Sequence, residues 1–370
     1  MSTAGDEAVV GDEPKLNDLV VDHRIVICCG SGGVGKTTTA AVVALEGARM
    51  GKRSVVVTID PAKRLADTLG IGELSNTPHL IDGDWPGELW AMMLDTKSTF
   101  DNLVAKHAGG TEQAERILDN PFYRNISGAL SGTQEYMAGE KLYELHEEGG
   151  YDLIVVDTPP TRNALDFLDA SGRLAGFLDH RLFRMLMAPT RGYMRAVNVA
   201  AQALLRTVGK IVGGEVLDDV IAFFNTFEGM EQGFKERAQR VQALLIDANT
   251  AYVLVASPRQ DTVEEAAFFA DKLRRTHIPV EALVINRMHP RFGDGLAEAA
   301  RRRAETLAGT DLGDLFTCLA DFRMMADGEE THLQGLADQV APAPVIKVPF
   351  LADDVHDLHT LGQISRHLFA

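Results

Sequence analysis

Ile25-Val26-Ile27-Cys28-Cys29-Gly30-Ser31-Gly32-Gly33-Val34-Gly35-Lys36-Thr37-Thr38 is the stretch that decides how the rest of the chain is read. Five apolar residues ending at a glycine have the form of a buried parallel strand. The alanine-rich run Thr37 to Met50, stopped by Gly51, has the form of a helix. Between them the glycines let the backbone turn tightly and aim its N–H groups at an anion, and the helix start adds its positive end. In this pattern Lys36 reaches the β- and γ-phosphates of a nucleotide, and the Thr37 hydroxyl holds Mg²⁺. A glycine turn without a ligand would leave this lysine and threonine unexplained. Gly30, Ser31, Gly32, Gly33, Val34, Gly35, Lys36, Thr37 and Thr38 are therefore expected to bind ATP, with Lys36 also serving catalysis.

Working outward, further strands are expected at Ser54–Asp60, Leu89–Leu94, Tyr151–Asp157, Tyr252–Ala256, Val280–Asn286 and Pro344–Val348. Helical patterns fill 97–148, 163–248 and 295–339, and a last helix spans Asp357–Phe369. Asp261-Thr262-Val263-Glu264 resembles a capping box opening another helix. Strands alternating with helices predict the α/β class. The architecture expected is a P-loop NTPase, a mostly parallel sheet flanked by helices, with an inserted α-helical subdomain over about 97–148 and 170–248. Residues 1–20 lack apolar periodicity and read as a flexible tail before a domain spanning 21–370. No internal repeat suggests a duplicated unit.

The 370 residues are 45% hydrophobic and 24% charged, the balance of a chain with a sizeable core. A net charge of −17 weighs against a nucleic-acid partner, which would need phosphate neutralisation by Lys and Arg. The polar, acidic start lacks the pattern of a secretory signal, and no apolar run is long enough to span a bilayer, so a cytoplasmic location is expected. Cys28 and Cys29 are adjacent in a strand and face opposite sides, and Cys318 is remote, so neither a disulfide nor a shared metal is expected.

Two aspartates close strands beside the loop. Asp157, in Val155-Val156-Asp157-Thr158-Pro159, should face the crevice at the carboxyl ends of the strands. It would support Mg²⁺ and its waters or relay the γ-phosphate state; capping of the next turn is the plainer alternative. Asp60, in Thr58-Ile59-Asp60-Pro61, should face the same crevice, where a carboxylate can orient or deprotonate water. An Asp-Pro after a strand is by itself only a turn.

These segments resemble the ArsA/Get3 ATPases over most of residues 24–369. Asp60 to Asp67 looks like the family's switch I, whose first aspartate activates water, and Asp157 to Leu165 looks like its switch II. Leu283-Val284-Ile285-Asn286-Arg287 is similar to the segment whose asparagine recognises adenine. Val348-Pro349-Phe350-Leu351 resembles the loop that packs against the base. The resemblance thus implies base contacts from Asn286, Pro349 and Phe350, and an Mg²⁺ site at Thr37 and Asp157. Cys28-Cys29-Gly30, Gly132 to Met137 and Arg162 to Asp169 carry a finer likeness to the BagB type of paired actinobacterial Get3-like ATPases.

Departures from the family pattern shape the partner expectations. Ser31 stands where the family has a lysine that reaches a dimer partner's nucleotide. A heterodimer with a related, lysine-bearing ATPase is therefore expected. The Cys-x-x-Cys that joins Get3 subunits through zinc is missing, as are the clustered cysteines of arsenite pumps. Leu174, Phe177, Leu178, Leu182 and Leu186 recur at helical spacing with Phe183, Met185 and Met187 beside them. They read as ordinary core or as a groove for an apolar helix or membrane-protein client, which the Get3 resemblance implies. The expected function is a dimeric ATPase whose nucleotide state moves a helical client-binding region. The alternatives are a regulatory ATP-binding subunit with weak hydrolysis and, less favoured, the energising subunit of an anion or arsenite pump.

Overall fold

Ile25, Ile27 and Cys29 pack into one hydrophobic core, while Val26 and Cys28 pack into another on the opposite side of the sheet. That alternation is the period-two geometry of a strand buried on both faces. A computed structural model describes residues 16–60, 64–126, 133–159, 168–170, 229–352 and 354–369, together with 172, 173, 176, 219, 222, 223, 226 and 227. Its strands are β1 (Ile25–Cys29), β2 (Arg53–Thr58), β3 (His79–Ile81), β4 (Glu88–Met93), β5 (Leu153–Asp157), β6 (Thr250–Ala256), β7 (Ala282–Met288) and β8 (Val345–Pro349). They form one eight-stranded sheet in the order β3-β4-β2-β5-β1-β6-β7-β8. The β3–β4 pairing is antiparallel and the others are parallel.

The helices are α1 (Asn17–Asp22), α2 (Lys36–Arg49), α3 (Arg64–Leu69), α4 (Thr96–His107), α5 (Thr111–Leu118), α6 (Pro121–Ile126), α7 (Thr133–Glu148), α8 (Glu231–Leu245), α9 (Gln260–Arg275), α10 (Ala297–Thr306), α11 (Asp311–Val340) and α12 (Leu358–Phe369). One face of the sheet is covered by α7, α8, α9 and the C-terminal half of α11, through Leu142, Val241, Phe269 and Leu336 among others. The other face is covered by α1, α2 and α12, through Val20, Val43 and Leu361. A third core, built from Leu103, Ile117, Tyr123, Met137 and Phe234, joins α4, α5, α6, α7 and α8. Within the expected helical insert, α7 and α8 thus rest directly on the sheet, and α4 to α6 form a further layer upon them.

The structure corrects three expectations. Residues 17–20, the end of the expected tail, belong to α1, which buries Leu19 and Val20. The edge strand β3 is not foreseen from the sequence because only Ile81 of its three residues is buried, leaving no apolar pattern. Asp261 does not cap α9: the helix begins at Gln260 with Arg259 as its N-cap and no capping side chain. Asp261 instead accepts from the Arg259 guanidinium at 2.8 and 3.2 Å, and Glu264 accepts from Gln260. The apolar stripe of residues 174–187, and most of 163–228, lie outside the described residues. Among the described residues, no helix is long and apolar enough to cross a membrane.

Candidate functional site

Three strand ends create the site. β5 lies between β2 and β1, and its register sets Asp157 beside both Thr58 and Cys28. This is the carboxyl edge of a parallel sheet, where open α/β folds place their ligands. Beyond β1 the chain enters the glycine loop with Gly30 at φ 154°, Gly33 at 76° and Gly35 at 99°. A Cβ at Gly30 would stand 2.1 Å from the Val255 carbonyl oxygen, so only glycine lets the loop leave the sheet here. A Cβ at Gly33 would meet nothing within 4 Å, so the loop's outer side is an open cradle.

Lys36 opens α2, yet it is buried at 5% exposure and its ammonium donates to the Ser31 carbonyl at 2.7 Å. Burial lowers its pKa, and the carboxylate of Asp157 opposes that shift. Thr37 donates to Asp157 Oδ2 at 2.8 Å, and Thr58 donates to the same oxygen at 3.0 Å. Asp157 Oδ1 is buried and has no partner among the described residues. Burial raises the Asp157 carboxyl to about 6, against the opposing pull of the Thr37 hydrogen bond, Lys36 and Thr58. A buried carboxylate with an unspent oxygen beside a threonine hydroxyl and a lysine fits a hydrated Mg²⁺ on a triphosphate. Thr37 and Asp157 would hold that ion, whose charge would offset the phosphate oxygens.

Asp60 lies two residues beyond the end of β2, with its side chain 14% exposed and one carboxylate oxygen 3.8 Å from the Arg64 guanidinium. Its backbone N–H donates to the Thr58 hydroxyl at 3.2 Å. Thr58 therefore links the two aspartates of the site. Nothing in the sequence assigns Thr58 that part, since it depends on β2 lying next to β5. Pro61 to Lys63 and Pro160 to Leu165, from the two switch-like segments, lie outside the described residues.

The expected base-contacting residues come from β7 and β8. Asn286 donates its amide N–H to the Val34 carbonyl at 2.9 Å and accepts from the Arg287 backbone N–H at 2.9 Å. One amide N–H and one acceptor lone pair are left on Asn286. A Cβ at Gly35 would lie 2.2 Å from the Asn286 amide nitrogen, so this close approach needs glycine. Arg287 also donates to the Gly33 carbonyl at 3.0 Å, a contact to the loop that no sequence motif announces. Its φ of 65° is the structural signal, and it is invisible in sequence. Pro349 closes β8 opposite Met288, and the half-exposed Phe350 donates its backbone N–H to the Met288 carbonyl. The Phe350 ring lies parallel to His289, with centroids 6.1 Å apart. His289 is held by Glu329 of α11 at both its backbone N–H and Nδ1.

A nucleotide phosphate is the group this edge of the sheet is shaped to hold, and by fold the chain is a P-loop nucleoside triphosphatase. Residues 23–370 match a family model described as an anion-transporting ATPase, and the chain belongs to that family, the ArsA-type ATPases. Among similar proteins is an "ATPase GET3" of Paracoccidioides lutzii, 25% identical over 326 residues that cover 86% of this chain and 90% of the relative. The "ATPase GET3" of Ajellomyces dermatitidis is 26% identical over 376 residues, covering 99% of this chain and 95% of the relative. An "ATPase get3" of Aspergillus terreus is 26% identical over 307 residues, covering 80% and 84%.

Proposed function

We propose that the chain binds Mg²⁺–ATP along Gly30 to Thr38 and hydrolyses it, with Asp60 orienting and deprotonating the attacking water and Lys36 offsetting charge on the transferred phosphoryl group. The observation that carries this reading is the Asp157 carboxylate, bound by Thr37 at one oxygen and unsatisfied at the other. Asn286, Pro349 and Phe350 would border the adenine. The chain would act in the cytoplasm as a dimer whose nucleotide state shifts the helical layer that leads from α7 and α8 toward a client. An apolar helix of a membrane protein is the client class most in keeping with the Get3 likeness. The BagB-type likeness favours a related ATPase as the dimer partner.

Calorimetry tests the binding step. Mg²⁺–ATP is expected to give a binding isotherm that Lys36→Ala abolishes. Asp60→Asn is expected to retain binding and slow hydrolysis by roughly 10²-fold or more, the scale of losing a general base. No heat from the unmodified protein, or equal affinity after Lys36→Ala, would sink the proposal. Loss of affinity in Asp60→Asn would make that residue structural.

A regulatory subunit with weak hydrolysis is the second reading, and Ser31 favours it. The side chain that replaces the family lysine is a buried hydroxyl without a partner among the described residues, at 5% exposure. It offers a partner's nucleotide no cation. An arsenite pump has less support. Cys28 and Cys29 are buried within β1, and burial pushes the first thiol up and the second to about 12. Both stay protonated, whereas soft-metal ligation needs thiolates.

A further inference from the structure

We infer that Gln134, in the first turn of α7, is a positioning residue for hydrolysis: it sets the peptide plane that carries Asp60. The inference rests on the role proposed for Asp60. Gln134 Nε2 donates to the Ile59 carbonyl at 3.1 Å. That carbonyl and the Asp60 N–H belong to one planar peptide unit, and the N–H is bonded to the Thr58 hydroxyl at 3.2 Å. One step earlier, the Ile59 N–H donates to the Asp157 carbonyl at 3.0 Å. The Ile59–Asp60 peptide is therefore held at its N–H by β2 and at its oxygen by α7. Turning that plane would swing the Asp60 carboxylate relative to the glycine loop.

The other end of the connection is stiff. A Cβ at Gly139 of α7 would stand 2.7 Å from a methyl of Val241 of α8, so the Val241 side chain packs directly on the α7 backbone. Glu140 of α7 pairs with Arg237 of α8 at 2.6 Å, with both side chains buried. The Arg237 guanidinium also lies 4.0 Å over the Tyr143 ring. α7 and α8 are locked together, so a displacement of the helical layer is passed through Gln134 to the Asp60 backbone. Gln134 itself is exposed and fills no part of the core. Its contact is one hydrogen bond that forms or breaks without opening a cavity.

Single-turnover hydrolysis of Mg²⁺–ATP by the full chain tests this, beginning with Asp60→Asn. If that variant hydrolyses at the unmodified rate, the role of Asp60 fails and this inference fails with it. If Asp60→Asn is slowed, Gln134→Ala and the isosteric Gln134→Glu, which lacks the donor once ionised, isolate the contact. Both are expected to slow hydrolysis about two- to twelvefold, the worth of one net hydrogen bond, with nucleotide affinity and the unfolding midpoint unchanged. In the Asp60→Asn background, Gln134→Ala is expected to add no further loss, because the carboxylate it positions is gone. Unmodified rates in both Gln134 variants, a loss confined to affinity, or an equal further loss in the Asp60→Asn background would each overturn the inference.

Discussion

At the scale of single residues, Asp157 shows how a site keeps one group in tension. Its Oδ2 accepts from two threonines while Oδ1 is buried without a partner among the described residues. An unfolded aspartate titrates near 3.9, whereas burial raises the folded one to about 6. The folded chain therefore holds this proton more tightly. The group's contribution to stability is complete below about pH 3.9 and is lost as pH rises through about 6. Above that range the nucleotide-free protein carries a buried negative charge. Asp157→Asn is expected to raise the unfolding midpoint at pH 8, by roughly 3 kcal/mol of stability, and to lose that advantage near pH 4. It should also weaken Mg²⁺-dependent ATP binding. A variant that unfolds earlier than the parent at pH 8 would show that pairing with Lys36 outweighs burial.

At the scale of elements, the α7–α8 contact joins two buried charges within the helical layer. Burial pushes the Glu140 carboxyl above the usual range, against the guanidinium of Arg237. Arg237→Met would leave that carboxyl buried without its cation. Removing one member of a buried pair costs about 3 kcal/mol or more, so an early unfolding transition is expected in urea. Adding Glu140→Gln should recover most of the loss, since a neutral amide needs no counter-charge. If the double variant were no more stable than Arg237→Met, the packing of Arg237 on Tyr143 would matter more than its charge. In the connection inferred for Gln134, the same contact would form the rigid end.

At the scale of the whole molecule, the proposed dependence on a lysine-bearing partner turns on Ser31. A lysine or arginine reaching a partner's triphosphate can be worth orders of magnitude in rate, and serine supplies no such charge. The chain alone is expected to turn over slowly. Ser31→Lys should raise single-turnover hydrolysis tenfold or more, with a dependence on protein concentration that marks supply in trans. Brisk hydrolysis by the unmodified chain, independent of concentration, would remove the need for a lysine-bearing partner.

The loop, its flanking strand and helix, Asp157 at the end of β5 and Asp60 just past β2 are legible in the sequence. Glycine spacing and unbroken apolar runs report local backbone freedom and burial, and those are properties of neighbouring residues. Most of the central strands are legible for the same reason, while β3 leaves no such run. Tertiary structure decides which distant groups meet. Thr58 reaches Asp157 because β2 pairs with β5, Arg287 reaches the loop through a left-handed backbone, and Gln134 reaches Ile59 across 75 residues of chain. Hydrogen bonds of that kind follow from strand order and register, which periodicity along a chain does not encode.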